Sequence, residues 1–407
     1  MKAVFSFLLM MPLLIPSNCL NDETTSTVSK QYTELPYPPR NPADEFSRLI
    51  SDVPSHPGFV DHFIFGERTF TAPATSRSPT NPLRVLIAGG GTGDVTTYLN
   101  EIYQSLDGNY AATSAEIYHL DLSSASIDVA RSRIHIRDSI RQTGRKAGHP
   151  KITFLQGSLL DLSTPSGRIS LGLPSDILFD FINSSGVLHH LSSPVEGLRA
   201  LSSVLRPGGG MFIMVYGHHG RTGIYDIQSA LKLVPASSTS TSTCLETVRH
   251  ILSNLPGTHR LQTTKATLSD SGMWETDEEI YDVFCHSQDR AYTVPEIFEW
   301  IEGAGKGELV MSSWGVPALY NLSTYYPDGI GIKSDYMGGD MLDGFQLAEL
   351  LGGGHAKHQF YVKKLLPQER VDGNYQGRTI YSGFHSASLS LSSSPPPPAP
   401  KPVTAPA

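Results

Sequence analysis

The stretch Val85 to Asp94, VLIAGGGTGD, constrains this chain more than any other. Four apolar residues, ending at Ala88, run into Gly89, Gly90 and Gly91, and Thr92 and Gly93 come next before the polar Asp94. A buried strand that turns through glycines into a helix N-terminus lets the backbone approach a nucleotide-like ligand where a Cβ would collide. The same pattern also serves plain strand-to-helix turns, so its meaning depends on the segments downstream of it.

The next apolar segment is EIYHLDLS, from Glu116 to Ser123, with Asp121 near its end. A carboxylate at the end of the second strand of a βαβ unit can accept both hydroxyls of a ribose. The interval from Gly89 exceeds the roughly 20 residues of the dinucleotide fingerprint, so a longer first helix (Val95 to Leu106) and a polar loop (Asp107 to Ser114) are expected. Asp121 could equally cap the helix beginning at Ser123, and the local sequence leaves both readings open. Beyond it the pattern alternates. A helix is expected over Ser126 to Arg141, a strand over Lys151 to Leu155, a strand over Ile177 to Asn183, a helix over Pro194 to Leu205 and a strand over Met211 to Gly217. Strands alternating with helices predict an α/β fold, a doubly wound and mostly parallel sheet.

With 39% hydrophobic and 17% charged residues among 407, the chain can bury one large core or two modest ones. A net charge of −8 gives no global attraction to nucleic acid. The basic run Arg131, Arg133, Arg137, Arg141, Arg145 and Lys146 reads as the solvated face of the second helix. Three cysteines, Cys19, Cys244 and Cys285, suggest neither a disulfide framework nor a metal-ligand spacing, so no metal is expected.

Residues 1–20 resemble a secretory leader, too short to span a bilayer comfortably. Against export stand the scarcity of cysteine and a glycosylation sequon at Asn183 that falls in a predicted buried strand. A cytoplasmic or organellar location is therefore favoured, with the secretory pathway left open by the leader. Residues 21–36 read as a polar linker, disordered as far as Gln31, and Tyr37 to Glu45 as an extended Pro-rich segment. Thr71 to Pro82 is a Ser/Thr/Pro linker, and the tail, 367–407, is disordered or polyproline-like.

In order and approximate spacing, VLIAGGGTG, YHLDLS, FLQGSLLDL, FDFINSSGVLHHL and LRPGGGMFIMVYG resemble the class I S-adenosylmethionine-dependent methyltransferases. YPPRNP, GRTGIY, DRAYTVPE and KHQFYV extend the likeness to an uncharacterised group of that class, over most of residues 37–366. The resemblance implies a Rossmann-like seven-stranded sheet with one antiparallel strand, here His358 to Leu365. Its core would be 83–217, followed by a helical insertion at about 222–292 and a C-terminal helix and strands over 293–366. It also implies S-adenosylmethionine as cofactor. Ala88, Gly89, Gly90, Gly91, Thr92 and Gly93 would form the turn under its methionine part, and Asp121 would hold the ribose. Ser158 and Leu159 would flank the adenine, and Ser184, Ser185, Gly186 and Val187 would face the reacting methyl. Ile87 and Ser158 depart from the class, where acidic residues are frequent, which removes two carboxylates from around the cofactor.

Methyl transfer is an in-line displacement at an activated carbon, so alignment and desolvation carry most of it, and a base is needed only where the acceptor must lose a proton. Candidate catalytic residues at the strand ends are His189, His190, Tyr216, His218 and His219, with Arg221 for an anionic group. One histidine of the His189–His190 pair is expected to pack within the fold, and Tyr216 could simply end a buried strand. Within the insertion, helices are expected over Ile227 to Val234 and Cys244 to Leu255. Trp274, Tyr281, Phe284 and Tyr292 could line an acceptor pocket or belong to the core. The expected partner is a small-molecule or protein acceptor, without nucleic acid or a stable membrane span, and the proline tail could recruit a recognition domain. A nicotinamide-dependent oxidoreductase is disfavoured because the glycines do not fit G-x-G-x-x-G. A non-catalytic binding subunit keeping the fold remains the other alternative.

Overall fold

The computed structural model describes residues 28–66, 69–70, 81–106, 115–140, 150–234, 240–262, 274–325 and 341–371. The leader, most of the Ser/Thr/Pro linker, the polar loop after the first helix and all of the tail beyond 371 lie outside them, as do Arg141, Arg145 and Lys146. Seven strands form one sheet: β1 (Arg84–Ala88), β2 (Glu116–Asp121), β3 (Lys151–Gln156), β4 (Phe179–Ser185), β5 (Leu205–Tyr216), β6 (Leu309–Trp314) and β7 (Lys357–Lys364). Their order is β3-β2-β1-β4-β5-β7-β6. Strands β1 to β5 run parallel, and only β7 is antiparallel to its neighbours, as expected for His358 to Leu365. The order reverses between β1 and β4, which opens a crevice at their carboxyl ends.

Helices cover both faces, so the central strands are apolar on both sides. Leu86, Ile182, Ile213 and Val362 belong to the core on one face, and Val85, Ile87, Phe181 and Tyr361 to that on the other. The helix Asp94–Ser105 continues from the glycine turn, and Ser124–Ile140 from β2. Asn183 is buried and its Nδ2 donates to Ser55 Oγ at 2.7 Å, so the sequon is closed to a glycan in the folded chain.

Four expectations need correction. The basic run is not wholly a solvated face. Arg133 is 1% exposed, and its guanidinium meets Glu45 at 2.7 Å, Asp94 Oδ1 at 2.7 Å and the Thr92 carbonyl at 2.9 Å. Arg137 adds a second contact to Glu45 at 2.7 Å. Sequence periodicity cannot reveal this, because both carboxylates arrive from outside the helix. Nor are residues 28–34 disordered: they form a helix with Val28 and Gln31 buried. Residues Pro367–Val371 are a short helix, held by Lys363 to Glu369 at 3.2 Å and Arg370 to Glu308 at 2.6 Å. Finally, Cys244 and Cys285 form a disulfide inside the helical insertion. Their separation of 41 residues hid the pairing, and the case against an oxidising compartment built on cysteine scarcity falls with it.

The insertion has its own core. The helices Thr222–Lys232 and Thr241–Asn254 pack Ile227, Leu231 and Val248 against Trp274, Ile280 and Phe284. Trp274 and Phe284 meet edge to face at 5.2 Å, while Tyr292 packs on Trp300 at 4.0 Å. These rings are core residues, and Tyr281 packs at the margin of the same cluster. No described helix is long and apolar enough to cross a membrane.

Two substitutions check these contacts. Arg133→Met leaves the buried Glu45 with Arg137 alone and removes the bonds to Asp94 and the Thr92 carbonyl, and should lower stability by about 1.5 to 3 kcal/mol in urea unfolding. Replacing both Cys244 and Cys285 by serine should cost up to about 4 kcal/mol by loop-closure entropy, read as a lower melting temperature that reductant no longer changes.

Candidate functional site

At the carboxyl edge of the sheet lies a cavity of about 380 Å³, within the range of small-molecule sites. Gly89, Gly90 and Gly91 form its floor at one end. The amides of Gly89 and Gly90 both donate to the Leu120 carbonyl, at 2.8 and 3.0 Å, which pins the turn to β2. Gly91 has φ +52°, and a Cβ there would stand 2.6 Å from the Tyr37 carbonyl oxygen. Glycine is therefore demanded by both conformation and proximity.

Asp121 stands beside this turn. Its Oδ2 accepts from the Gly91 amide at 2.7 Å and its Oδ1 from the Ser123 amide at 2.9 Å. The cap of the next helix is Ser123, whose Oγ accepts from the Ser126 amide at 3.1 Å. The capping role is thus taken, and Asp121 keeps acceptor capacity for a ligand hydroxyl. Burial raises the carboxyl's pKa, opposed by the bonds from Ser123, Gly91 and Leu122.

Of the proposed cofactor residues, Gly89, Gly90, Gly91, Asp121, Ser158, Leu159, Ser185 and Gly186 line the cavity. Ala88, Thr92, Gly93 and Ser184 do not, and instead support the turn and strand from behind. Ser158 also begins the helical turn Leu159–Ser163, its Oγ accepting from the Leu160 amide at 3.2 Å.

The opposite end is walled by Tyr32, His190, Tyr216, Asp282 and Lys357, with Tyr37 reaching over from the glycine turn. Among the proposed catalytic residues, only His190 and Tyr216 reach the cavity. His189 is fully buried, stacked on Tyr216 at 3.8 Å, and burial drives its pKa well down. Arg221 is buried on the Tyr216 ring at 3.5 Å and beside Asp289 at 3.5 Å. His218 is exposed and His219 half-buried, both outside the lining.

The bonding at this end fixes where protons lie. His190 Nδ1 is 2.8 Å from the Gln288 carbonyl, which can only accept, so Nδ1 carries a proton, and Nε2 faces Tyr32 Oη at 3.4 Å. The Tyr32 hydroxyl donates to Asp282 Oδ1 at 2.8 Å. His286 Nδ1 accepts from the Gln288 amide at 3.0 Å, leaving its Nε2–H to face Tyr32 Oη at 3.1 Å. Tyr216 offers its hydroxyl to Asp282 Oδ2 at 3.4 Å. Burial raises the Asp282 pKa against the lowering effects of His190 and Tyr32.

Ligand atoms of His190, Asp282 and His286 lie within 4.8 Å of one another, as do those of His189, His190 and Asp289. In the first group the His286 ring turns a proton, not a lone pair, toward the centre. In the second, Arg221 already occupies Asp289. Neither arrangement is ready for a cation, and their members come from two distant segments, which sequence spacing could not reveal.

Sequence reasoning also missed the N-terminal wall. Thr92 Oγ1 donates to the Pro38 carbonyl at 2.7 Å and Ser123 Oγ to the Tyr32 carbonyl at 2.8 Å. Arg40 grips Asp94 through Nε at 2.9 Å and Nη2 at 2.7 Å. Burial would raise the Asp94 pKa, but Arg40 and Arg133 hold it below the usual range. Asp52, from the same region, lines the cavity together with Ile87. The Pro-rich composition of YPPRNP was the available signal, without any indication of what it covers.

Residues 86–211 match a family model described as a methyltransferase domain. An uncharacterised protein of Synechococcus sp., syc1184_c, is 30% identical over 385 residues, covering 92% of this chain and 78% of that protein. The structure of PKMT2 from Rickettsia typhi in complex with AdoHcy aligns with a TM-score of 0.48 at 14% identity, over 77% of this chain and 54% of that one. The plantazolicin methyltransferase BamL, in complex with a triazolic desmethylPZN analog and SAH, aligns with a TM-score of 0.39 at 13% identity, over 85% and 98%. The sheet order and glycine turn define a Rossmann-like α/β protein of the methyltransferase type. The chain belongs to one family with the Synechococcus protein, and its residues 86–211 are a methyltransferase domain.

Burial lowers the pKa values of His189 and His286 well below the ordinary 6.5, and that of His119 to about 4. Charging these rings opposes folding, so their contribution is complete above about pH 6.5 and is lost as pH falls. The expected slope is up to about 1.4 kcal/mol per pH unit for each ring. Urea unfolding at pH 8, 7, 6 and 5 reads it, and equal stability at all four would exclude it.

Proposed function

We propose that this chain transfers a methyl group from S-adenosylmethionine, in line, to a small molecule or protein side chain that gives up a proton. The observation carrying this reading is a single cavity that joins the glycine turn and Asp121 to the imidazole of His190. When bound, S-adenosylmethionine supplies a carbon already activated by sulfonium charge, so position and dryness matter most. Gly89 to Gly91 admit the backbone close to the methionine part, and Asp121 receives the ribose hydroxyls. Asp52 brings a carboxylate to the cavity where Ile87 brings none, and this offsets the missing acidic side chain. Burial raises the Asp52 pKa, while its bond from the Ser55 amide favours the ionised form. The helix 28–34 and Tyr37 exclude water from above.

At the other end His190 is the acceptor's base. Its Nδ1–H is anchored on Gln288, which orients the ring with Nε2 beside Tyr32 at the cavity, where the neutral ring would take the acceptor's proton, and Asp282 lies beside it to favour the charged ring once formed. His189 supports Tyr216 from beneath.

Calorimetric titration of the chain with S-adenosylmethionine and with NADH tests the cofactor. Binding of the former alone is expected, and Asp121→Ala should weaken it by about 10- to 100-fold through loss of charged hydrogen bonds. Binding of NADH alone, or unchanged affinity in the variant, would refute the assignment.

A further inference from the structure

We propose that the methyl acceptor is an anion, whose carboxylate or comparable group pairs with Lys357 while its hydroxyl or amine lies at His190. This deepens the methyltransferase reading and rests on it.

Lys357 is the first residue of β7 and faces Tyr216 in antiparallel register. Directly opposed residues share a face of the sheet, and both line the cavity. No hydrogen bond or ion pair engages its ammonium among the described residues. Lys357 is exposed by surface area and lines the cavity; partial desolvation there lowers its pKa, Arg221 adds to this, and Asp282 partly restores it. An ammonium at a cavity wall with no protein partner among the described residues can take an opposite charge supplied by a ligand.

Neighbouring charges leave this role to Lys357. Arg221 is committed to Asp289 and to the Tyr216 ring, and does not line the cavity. Asp282 is engaged by the hydroxyls of Tyr32 and Tyr216. The tyrosine rings beside Lys357 favour a flat or apolar body next to the anionic group.

The cofactor also has a carboxylate, so its position matters. In the sheet order β1-β4-β5-β7, Lys357 stands three strands from the glycine turn. At about 4.8 Å per strand this is roughly 14 Å, at the end of the cavity away from the turn. A carboxylate held by Lys357 is therefore assigned to the acceptor.

The test loads the full chain with S-adenosylhomocysteine and titrates acetate, benzoate, phenyl phosphate and neutral benzamide by calorimetry. At least one anion should bind saturably and benzamide should not. Lys357→Met should weaken the anion by about tenfold, Lys357→Arg should restore most of it, and affinity for S-adenosylhomocysteine should stay within about twofold. Absence of saturable anion binding, equal binding of benzamide, or an unaltered anion affinity in Lys357→Met would overturn the proposal. So would a tenfold loss confined to S-adenosylhomocysteine, which would give Lys357 to the cofactor. If the wild-type chain bound no S-adenosylhomocysteine, the methyltransferase reading itself would fail, a separate result.

Discussion

The structure depends on how closely backbone can approach backbone at Gly89 to Gly91. On one side two amides of the turn share the Leu120 carbonyl and a third meets Asp121. On the other, the Tyr37 carbonyl accepts from the Thr92 amide at 3.2 Å, beside a glycine with no room for a Cβ. Strand β2, the turn and the N-terminal segment thus meet at a point where a single methyl group would force them apart. The cavity exists because they meet there: β2 supplies Asp121, the turn supplies a floor, and the segment supplies a roof.

The roof is held electrostatically. Glu45, Asp94, Arg40, Arg133 and Arg137 form one network, with Arg133 and Glu45 almost wholly out of water. Breaking a buried pair costs more than forming it gains, so such a network specifies one docking geometry more than it adds stability. That geometry brings Tyr32 to Asp282 across 250 residues of chain, and the site gains a wall that the minimal fold lacks.

The division of chemistry along the cavity is set by the sheet. Cavity-lining loops leave β1, β2 and β3 at one end, and His190, Tyr216 and Lys357 lie just after β4, at the end of β5 and at the start of β7 at the other. The helical insertion contributes Asp282 and His286 from a segment adjacent to its disulfide, Cys244 to Cys285, so its small core and cross-link hold the groups around His190 in place. No property of either cysteine alone indicates this.

Strand and helix periodicity, the glycine turn, Asp121 and the antiparallel last strand were legible from the sequence because local pattern and backbone sterics decide them. A run such as VLIAGGG can only be a buried strand entering a tight turn, and alternating periods imply a layered parallel sheet. Which residues reach the cavity was decided by tertiary structure. His189 and His190 are neighbours with the same chemistry, yet one stacks beneath Tyr216 and the other reaches the cavity. Arg133 looks like any surface arginine until Glu45 arrives from 88 residues away. Tyr32, Asp52, Asp282 and Lys357 carry no local signature, because a lone polar side chain acquires a role only from what long-range packing sets against it.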